Sequence, residues 1–215
     1  MNPKLEEKIV LITGVGAGDS GRIGRGAAVA CAFEGADIWA VGPAADALAP
    51  LQDLPGIAIR VADMADPNRL ATLTEDIGAI DVLINITRES DPNVHDAGLN
   101  EIALDLAWAA TVKAPAQAIL AFLPVLLKRS GAIINIAPPS PDTPDITHET
   151  AAAALCGFSA SIAARYKNMR CNTLYPGRLG AGSVESIAQA CLYLASASGA
   201  DVTGQTLKLG GGGSA

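Results

Sequence analysis

Six glycines crowd a short stretch of the chain: Gly14, Gly16, Gly18, Gly21, Gly24 and Gly26. Glycines at this density let backbone N–H groups approach a diphosphate, and a helix starting behind them adds partial positive charge. Gly16 to Gly21 is a literal GxGxxG, and its place between an apolar run and a helical stretch gives it meaning. The same spacing also occurs in plain flexible loops. Asp19 favours that plainer reading, because a carboxylate beside a diphosphate costs binding unless it points away. Arg22 and Arg25 argue for an anion. The expected ligand is therefore a dinucleotide held by Gly14, Gly18, Gly21, Arg22, Ile23 and Gly24. The second strand normally ends in an acid that reads the NAD ribose or a cation that pairs with the NADP phosphate. Here it ends in Val41-Gly42-Pro43, which supplies neither. Arg22 is then the group left for a 2′-phosphate, and NAD, NADP and neither all stay open.

Few other side chains offer chemistry. His148 carries an imidazole, whose ordinary pKa near ~6.5 suits proton transfer at neutral pH. Asp145 and Glu149 stand close enough in sequence to orient it. The plainer reading makes His148 a solvated residue at a helix start with Thr147 as the cap. His95 reads as surface, Lys113 as a solvated cation, and Thr111 as a hydroxyl bonded to its own helix backbone. The four cysteines, Cys31, Cys156, Cys171 and Cys191, have no CxxC spacing and read as small core residues of a reduced protein. With two distant histidines, no metal-ligand spacing is present.

The elements that must position these groups follow from 215 residues, half of them hydrophobic, which suits one domain over residues 1–215 with a sizeable core. A net charge of −7 disfavours nucleic acid and anionic membrane surfaces. The longest apolar stretch, Ala116 to Leu127, is interrupted by Pro124 and falls short of the about 20 residues of a span. The N-terminus does not read as a signal peptide, so a cytoplasmic location is expected. Continuous apolar runs near residues 8–13, 36–41, 57–61, 81–85, 132–136, 170–174 and 205–209 predict buried parallel strands. Helical stretches are expected over about 22–34, 44–51, 66–77, 99–128, 149–166 and 184–195. Asp66-Pro67 should open the third, Gly35 should close the first, and Pro115 and Pro124 should bend and end the long one. The run from Pro138 to Asp145 reads as rigid loop. Residues 210–215 form a glycine-rich tail. Alternation of this kind makes an α/β, doubly wound Rossmann-type sheet of about seven parallel strands, with ligands at the strands' carboxyl ends.

From Lys8 to Gly211 the chain resembles the short-chain dehydrogenase/reductase family. Thr13-Gly14 followed by Gly21-Arg22-Ile23-Gly24 is similar to that family's TGxxxGxG turn, lengthened by about four residues, with Arg22 at the second glycine. The resemblance places Asp63 against an adenine, Asn85 at the first Asn of an NNAG motif, and Pro176-Gly177 beside a nicotinamide. Family members move a hydride with a Tyr acid/base, a Lys four residues on, a Ser and an Asn. Matching Gly157 to a common family glycine puts His148 at the Tyr position and Ala152 at the Lys position. Pro138 then stands for the Ser and Thr111 for the Asn. Tyr166, Tyr175 and Tyr193 each lack a Lys four places later. The substrate-covering segment of relatives is cut to the few residues between Gly177 and Ser183. The resemblance further implies a homodimer or homotetramer built on the long helices, where Ala151 to Ala154 would allow close approach.

Two functions follow from this reading. One is a protein that keeps the nucleotide-binding fold without conventional hydride transfer, in a binding, regulatory or non-redox role. The other is an NAD(P)-dependent oxidoreductase acting on a small carbonyl or alcohol, with His148 in place of the Tyr.

Overall fold

In the computed structural model, which describes residues 5–87, 100–141 and 145–210, β-strands and helices alternate. The order is β1 (Ile9–Thr13), α1 (Gly18–Phe33), β2 (Asp37–Gly42), α2 (Ala45–Leu48) with a 3-10 turn (Ala49–Leu51), β3 (Ile57–Val61) and α3 (Pro67–Ile77). There follow β4 (Val82–Ile86), α4 (Glu101–Trp108), α5 (Ala114–Lys128), β5 (Ala132–Ile136), α6 (Ile146–Arg165), β6 (Arg170–Pro176), α7 (Ser183–Ala195) and β7 (Thr206–Leu209). The seven strands make one parallel sheet in the order β3-β2-β1-β4-β5-β6-β7. The doubly wound architecture expected from the sequence is the one found.

Side chains alternate across a strand, so each apolar run feeds two cores. Val10, Ile12, Val82, Ile84, Ile134 and Ile136 pack under α1 and α7. Leu11, Leu83, Ile133 and Cys171 face the other way, onto Leu70, Ile119, Phe122 and Leu126 of α3 and α5. Cys31, Cys171 and Cys191 are buried as expected, while Cys156 is only partly covered. Burial pushes the thiols of Cys31 and Cys171 up to about 12, so they stay protonated and inert.

Two sequence expectations need correction. The first helix begins at Gly18 and not near Arg22. Gly18 to Gly21, expected as part of the glycine turn, are thus wound into the helix's first turn, four residues nearly matching the 3.6 of a turn. Pro124 does not end the long helix but lies inside α5, and Pro115 sits in that helix's first turn. The irregularity expected near Pro115 is found just before it, at Ala109–Lys113, where one π-helical turn joins α4 to α5. Pro115 has no N–H to give to the regular ladder, and the π turn immediately before it is where that ladder is interrupted. Together α4, the π turn and α5 give a 28-residue helical path, Glu101–Lys128, with an 18-residue window of mean hydropathy 1.6. By length and composition it could cross a membrane, though α5's inner face, with Ala118, Ile119, Phe122 and Leu126, forms part of the core.

Candidate functional site

Strand register decides what meets at the carboxyl edge of the sheet. Thr13, Asn85, Asn135 and Thr173 are successive partners across β1, β4, β5 and β6. Their odd positions put them on the α5–α6 face, one step beyond the apolar layer of Leu11, Leu83, Ile133 and Cys171. There they form one buried chain. Thr13 Oγ1 donates to Asn85 Oδ1 at 2.8 Å, and Asn85 Nδ2 donates to Asn135 Oδ1 at 2.8 Å. Asn135 Nδ2 donates to Ser159 Oγ at 2.9 Å, and Thr173 Oγ1 donates to the same oxygen at 2.7 Å. Ser159 closes the chain on its own helix by donating to the Leu155 carbonyl. Every donor meets an acceptor, which is the condition for keeping such groups in a low-dielectric interior.

Tyr175 continues the same face two residues beyond Thr173. Its ring lies with Ala137, Ala152 and Leu155 in a small apolar cluster. Its hydroxyl leaves that cluster and donates to Glu149 Oε2, on the first turn of α6, at 2.5 Å. Lys208, the β7 neighbour of Tyr175, holds Nζ 5.9 Å from the ring centre. Burial, then the bond to Glu149 and its negative charge, push the Tyr175 pKa upward, so the phenol stays protonated. Next in the chain, Pro176 and Gly177 line a cavity of about 230 Å³ shared with Leu179, Ser183, Ile187 and Leu209.

The glycine turn sits between β1 and β2. Gly14 has φ +77°, and a side chain there would run into the Ile86 carbonyl. Gly21 is pressed against the Gly16 carbonyl in the same way, a Cβ coming within 2.0 Å. The N-cap of α1 is Ala17, which has no side-chain acceptor for the first helical N–H groups. The first turn of α1 therefore presents backbone donors and partial positive charge, and a diphosphate fits that chemistry. Asp19 stands in the same turn but is held by Arg22, whose Nη1 donates to it at 2.9 Å. Of the other expected contacts, Ile23 points into the core and Gly24 is packed against Val15 and Ile86. Asp63 is exposed beyond β3 and accepts from the Ala65 N–H.

The four positions expected to replace a Tyr, Lys, Ser and Asn come out as follows. His148 is buried, 5% exposed, and not solvated. Asp145, not Thr147, caps α6: its Oδ1 accepts from the N–H groups of Thr147 and His148 and from the Thr147 hydroxyl. Glu149, expected beside His148, turns to Tyr175. Ala152 is fully buried in the cluster under Tyr175. Pro138 is buried just after β5, and Thr111 is buried in the π turn. Such turns recur at functional positions. His95 lies outside the described residues.

The chain matches the family model described as short chain dehydrogenase over residues 8–191. It belongs to that family. Among similar short-chain dehydrogenases, dehydrogenase/reductase SDR family member 6 of Danio rerio is 28% identical over 248 aligned positions, taking in 97% of this chain and 98% of that one. The 2-keto-3-deoxy-L-fuconate dehydrogenase of Xanthomonas campestris is 30% identical, with 98% of this chain and 81% of that protein aligned. The crystal structure of hydroxysteroid dehydrogenase from Escherichia coli superposes with a TM-score of 0.84 at 26% identity, covering 99% of both chains. An alignment of 248 positions against 215 residues means that the Danio relative carries segments this family member lacks.

Sequence reasoning missed the buried polar chain and the Tyr175–Glu149 pair. A signal for the first was present: single polar residues interrupt the apolar runs of β1, β4 and β5 near their carboxyl ends. The second depends on how far β6 extends, and β6 runs through Tyr175 to Pro176 where the sequence suggested an end at Leu174.

Proposed function

We propose that this short-chain dehydrogenase family member binds an NAD- or NADP-type dinucleotide at the first turn of α1 but does not carry out the family's usual Tyr–Lys hydride transfer. The observation that carries this reading is Ala152. It stands where the resemblance puts the lysine, and it is sealed among Ala137, Leu155 and the Tyr175 ring, with no polar space for an ammonium. Gly14, Gly16, Ala17 and Gly18 shape the turn that would hold a diphosphate. A bound dinucleotide would supply a hydride-carrying nicotinamide, while this chain's part is to hold it near Pro176-Gly177 at an open edge. The short Gly177–Ser183 connection leaves little to exclude water there, which suits a binding, regulatory or non-redox role. The protein works as a cytoplasmic homodimer or homotetramer, through the outer faces of α4 to α6, where Ile102 and Leu120 are exposed.

A second reading keeps oxidoreductase chemistry on a small carbonyl or alcohol, with His148 as acid/base. The burial of His148 at the sheet's carboxyl edge favours it.

Titration of NADH and NADPH against the fluorescence of Trp39 and Trp108, checked by calorimetry, tests both. Saturable binding without turnover over a panel of carbonyl compounds is the expected result. Turnover that falls at least 100-fold in His148→Ala would replace the first reading with the second. No binding at millimolar dinucleotide would remove both.

A further inference from the structure

A second cavity, of about 420 Å³, lies at the amino edge of the sheet, at the opposite end of β1 and β2 from the glycine turn. Every residue of its wall belongs to β1, β2, β3 or the turn before β3, so its floor is the sheet itself. Register explains the hollow. Ile9 is paired with Asp37, and Trp39 with Ala58. Ala58 is too small to fill the space beside the indole, and Gly56 has no side chain to fill the space beside Asp37. Trp39 packs against the α3–α5 core but stays only half-buried. Arg60, two residues beyond Ala58, holds its guanidinium carbon 4.8 Å from the indole centre and is not part of the cavity wall. Asp37 is exposed, and its carboxylate has no hydrogen bond or ion pair to any described residue. The nearby cations are engaged elsewhere. Lys8 Nζ lies 3.3 Å from Asp81, and Arg60 Nε lies 3.6 Å from Asp76.

We infer that this cavity binds small arylalkylammonium cations, with the ammonium on Asp37 and the aryl ring over Ala58 beside Trp39. Side chains two apart on one face of a strand stand about 6–7 Å from each other. That is the reach of an amine joined to a ring by a two-carbon chain. The volume falls within the ~300–1,000 Å³ of small-ligand sites, and mostly apolar walls with one fixed charge are their usual makeup. Aromatic rings associate offset or edge to face, so a ligand ring packs beside the indole without displacing Arg60. The net charge of −7 draws cations toward the surface. A neutral ligand would leave the Asp37 carboxylate unused, and an anion would be repelled by it. The site stands at the edge opposite the dinucleotide turn, so this inference does not rest on the proposed function.

The test is calorimetric titration of the full chain with 2-phenylethylammonium chloride at pH 7, without dinucleotide. Ethylammonium, which lacks the ring, and 2-phenylethanol, which lacks the charge, are the controls. Saturable binding of the arylamine is expected, at least 5-fold tighter than either control. The fluorescence of Trp39, isolated in Trp108→Phe, should change with the same midpoint. Asp37→Asn should weaken the arylamine about 5-fold, the most an exposed ion pair ordinarily gives, and leave 2-phenylethanol unchanged. Ala58→Ile suits a strand and fills the space beside the indole, so it should weaken the arylamine at least 10-fold. Absence of saturable binding by the wild type overturns the inference. So does undiminished binding in folded Asp37→Asn and Ala58→Ile, or 2-phenylethanol binding as tightly as the amine, since the carboxylate would then play no part. Sedimentation supplies one more overturning result: self-association that Ala58→Ile abolishes and the amine does not displace would give the cavity to a second copy of the chain. Failure here leaves the dinucleotide titration untouched, and the reverse also holds.

Discussion

Asn135 has the central place in the buried polar chain because it both accepts from Asn85 and donates to Ser159. Its removal would not simply delete two hydrogen bonds of modest net value. It would strand the Asn85 amide in a site that water does not reach, whereas Ser159 keeps Thr173 as a donor and Leu155 as an acceptor. One stranded buried donor costs about 1–3 kcal/mol. Asn135→Ala should therefore lower stability by about that amount, and removal of the side chain's volume adds to it. Urea unfolding followed by circular dichroism would measure this. Thr173→Val should cost less, because Ser159 still receives a hydrogen bond from Asn135. Equal losses for the two would contradict the ordering of donors and acceptors. At this scale the sequence was informative about identity and silent about direction. Thr13, Asn85 and Asn135 stand out as polar residues in apolar strands, but which amide donates to which depends on strand neighbours fifty and more residues away.

At the scale of elements, α1 starts four residues earlier than its sequence pattern suggested. Its first turn, Gly18 to Gly21, is part of the glycine turn wound into helix, and it carries Asp19, which Arg22 just behind it neutralises. An added turn advances the helix N-terminus by about 5–6 Å along its axis. The anion-binding end is thereby moved away from the sheet edge, and a carboxylate is placed within it. Deleting Gly18–Gly21 together with Arg22→Gly restores the TGxxxGxG spacing and shifts the helix face by only about 40°, the excess of four residues over 3.6. Dinucleotide affinity should rise at least 5-fold, read by the same tryptophan titration. Unchanged or weaker binding in a folded variant would show that the native turn does not obstruct the diphosphate. Element type was legible throughout, because buried parallel strands and amphipathic helices impose different periods on the same alphabet. Boundaries were less so. A glycine-rich segment carries little helix propensity, and nothing local announced that Gly18–Gly21 would wind up. In the same way the proline in α5 read as a stop, although its helix is held by the tertiary contacts of Ile119, Phe122 and Leu126.

Across the whole molecule, the two edges of the sheet divide the work. The carboxyl edge holds the glycine turn, Tyr175 and the cavity, while the amino edge is tied by one carboxylate. Asp81 is buried at the start of β4 and accepts from the Ile9 N–H at 3.0 Å. Arg129 approaches it with Nε at 3.1 Å and Nη2 at 3.0 Å, and Lys8 Nζ lies 3.3 Å away. This joins β1, β4 and the end of α5 across sequence separations that no local pattern reveals, which is why Asp81 read only as the first residue of a strand. Burial raises its pKa, but the Arg129 bond, the Ile9 N–H and the two cations outweigh that and hold it below the ordinary carboxylate value. A carboxyl depressed on folding stabilises the native state above its unfolded pKa of about 3.9, and that contribution fades as pH falls through the lower folded value. Asp81→Asn should thus be less stable than the wild type by about 1.5–3 kcal/mol at pH 7, the range for hydrogen bonds to a charged group. The difference should hold down to about pH 4 and shrink below it, as the wild-type carboxyl protonates and comes to resemble the amide. Urea melts of both proteins at pH 7, 5 and 3 would follow it, and a gap that stays constant to pH 3 and beyond would remove Asp81 as the acid-sensitive tie. Because the tie lies at the edge opposite the glycine turn, dinucleotide affinity at pH 7 should be the same in both proteins wherever both are folded.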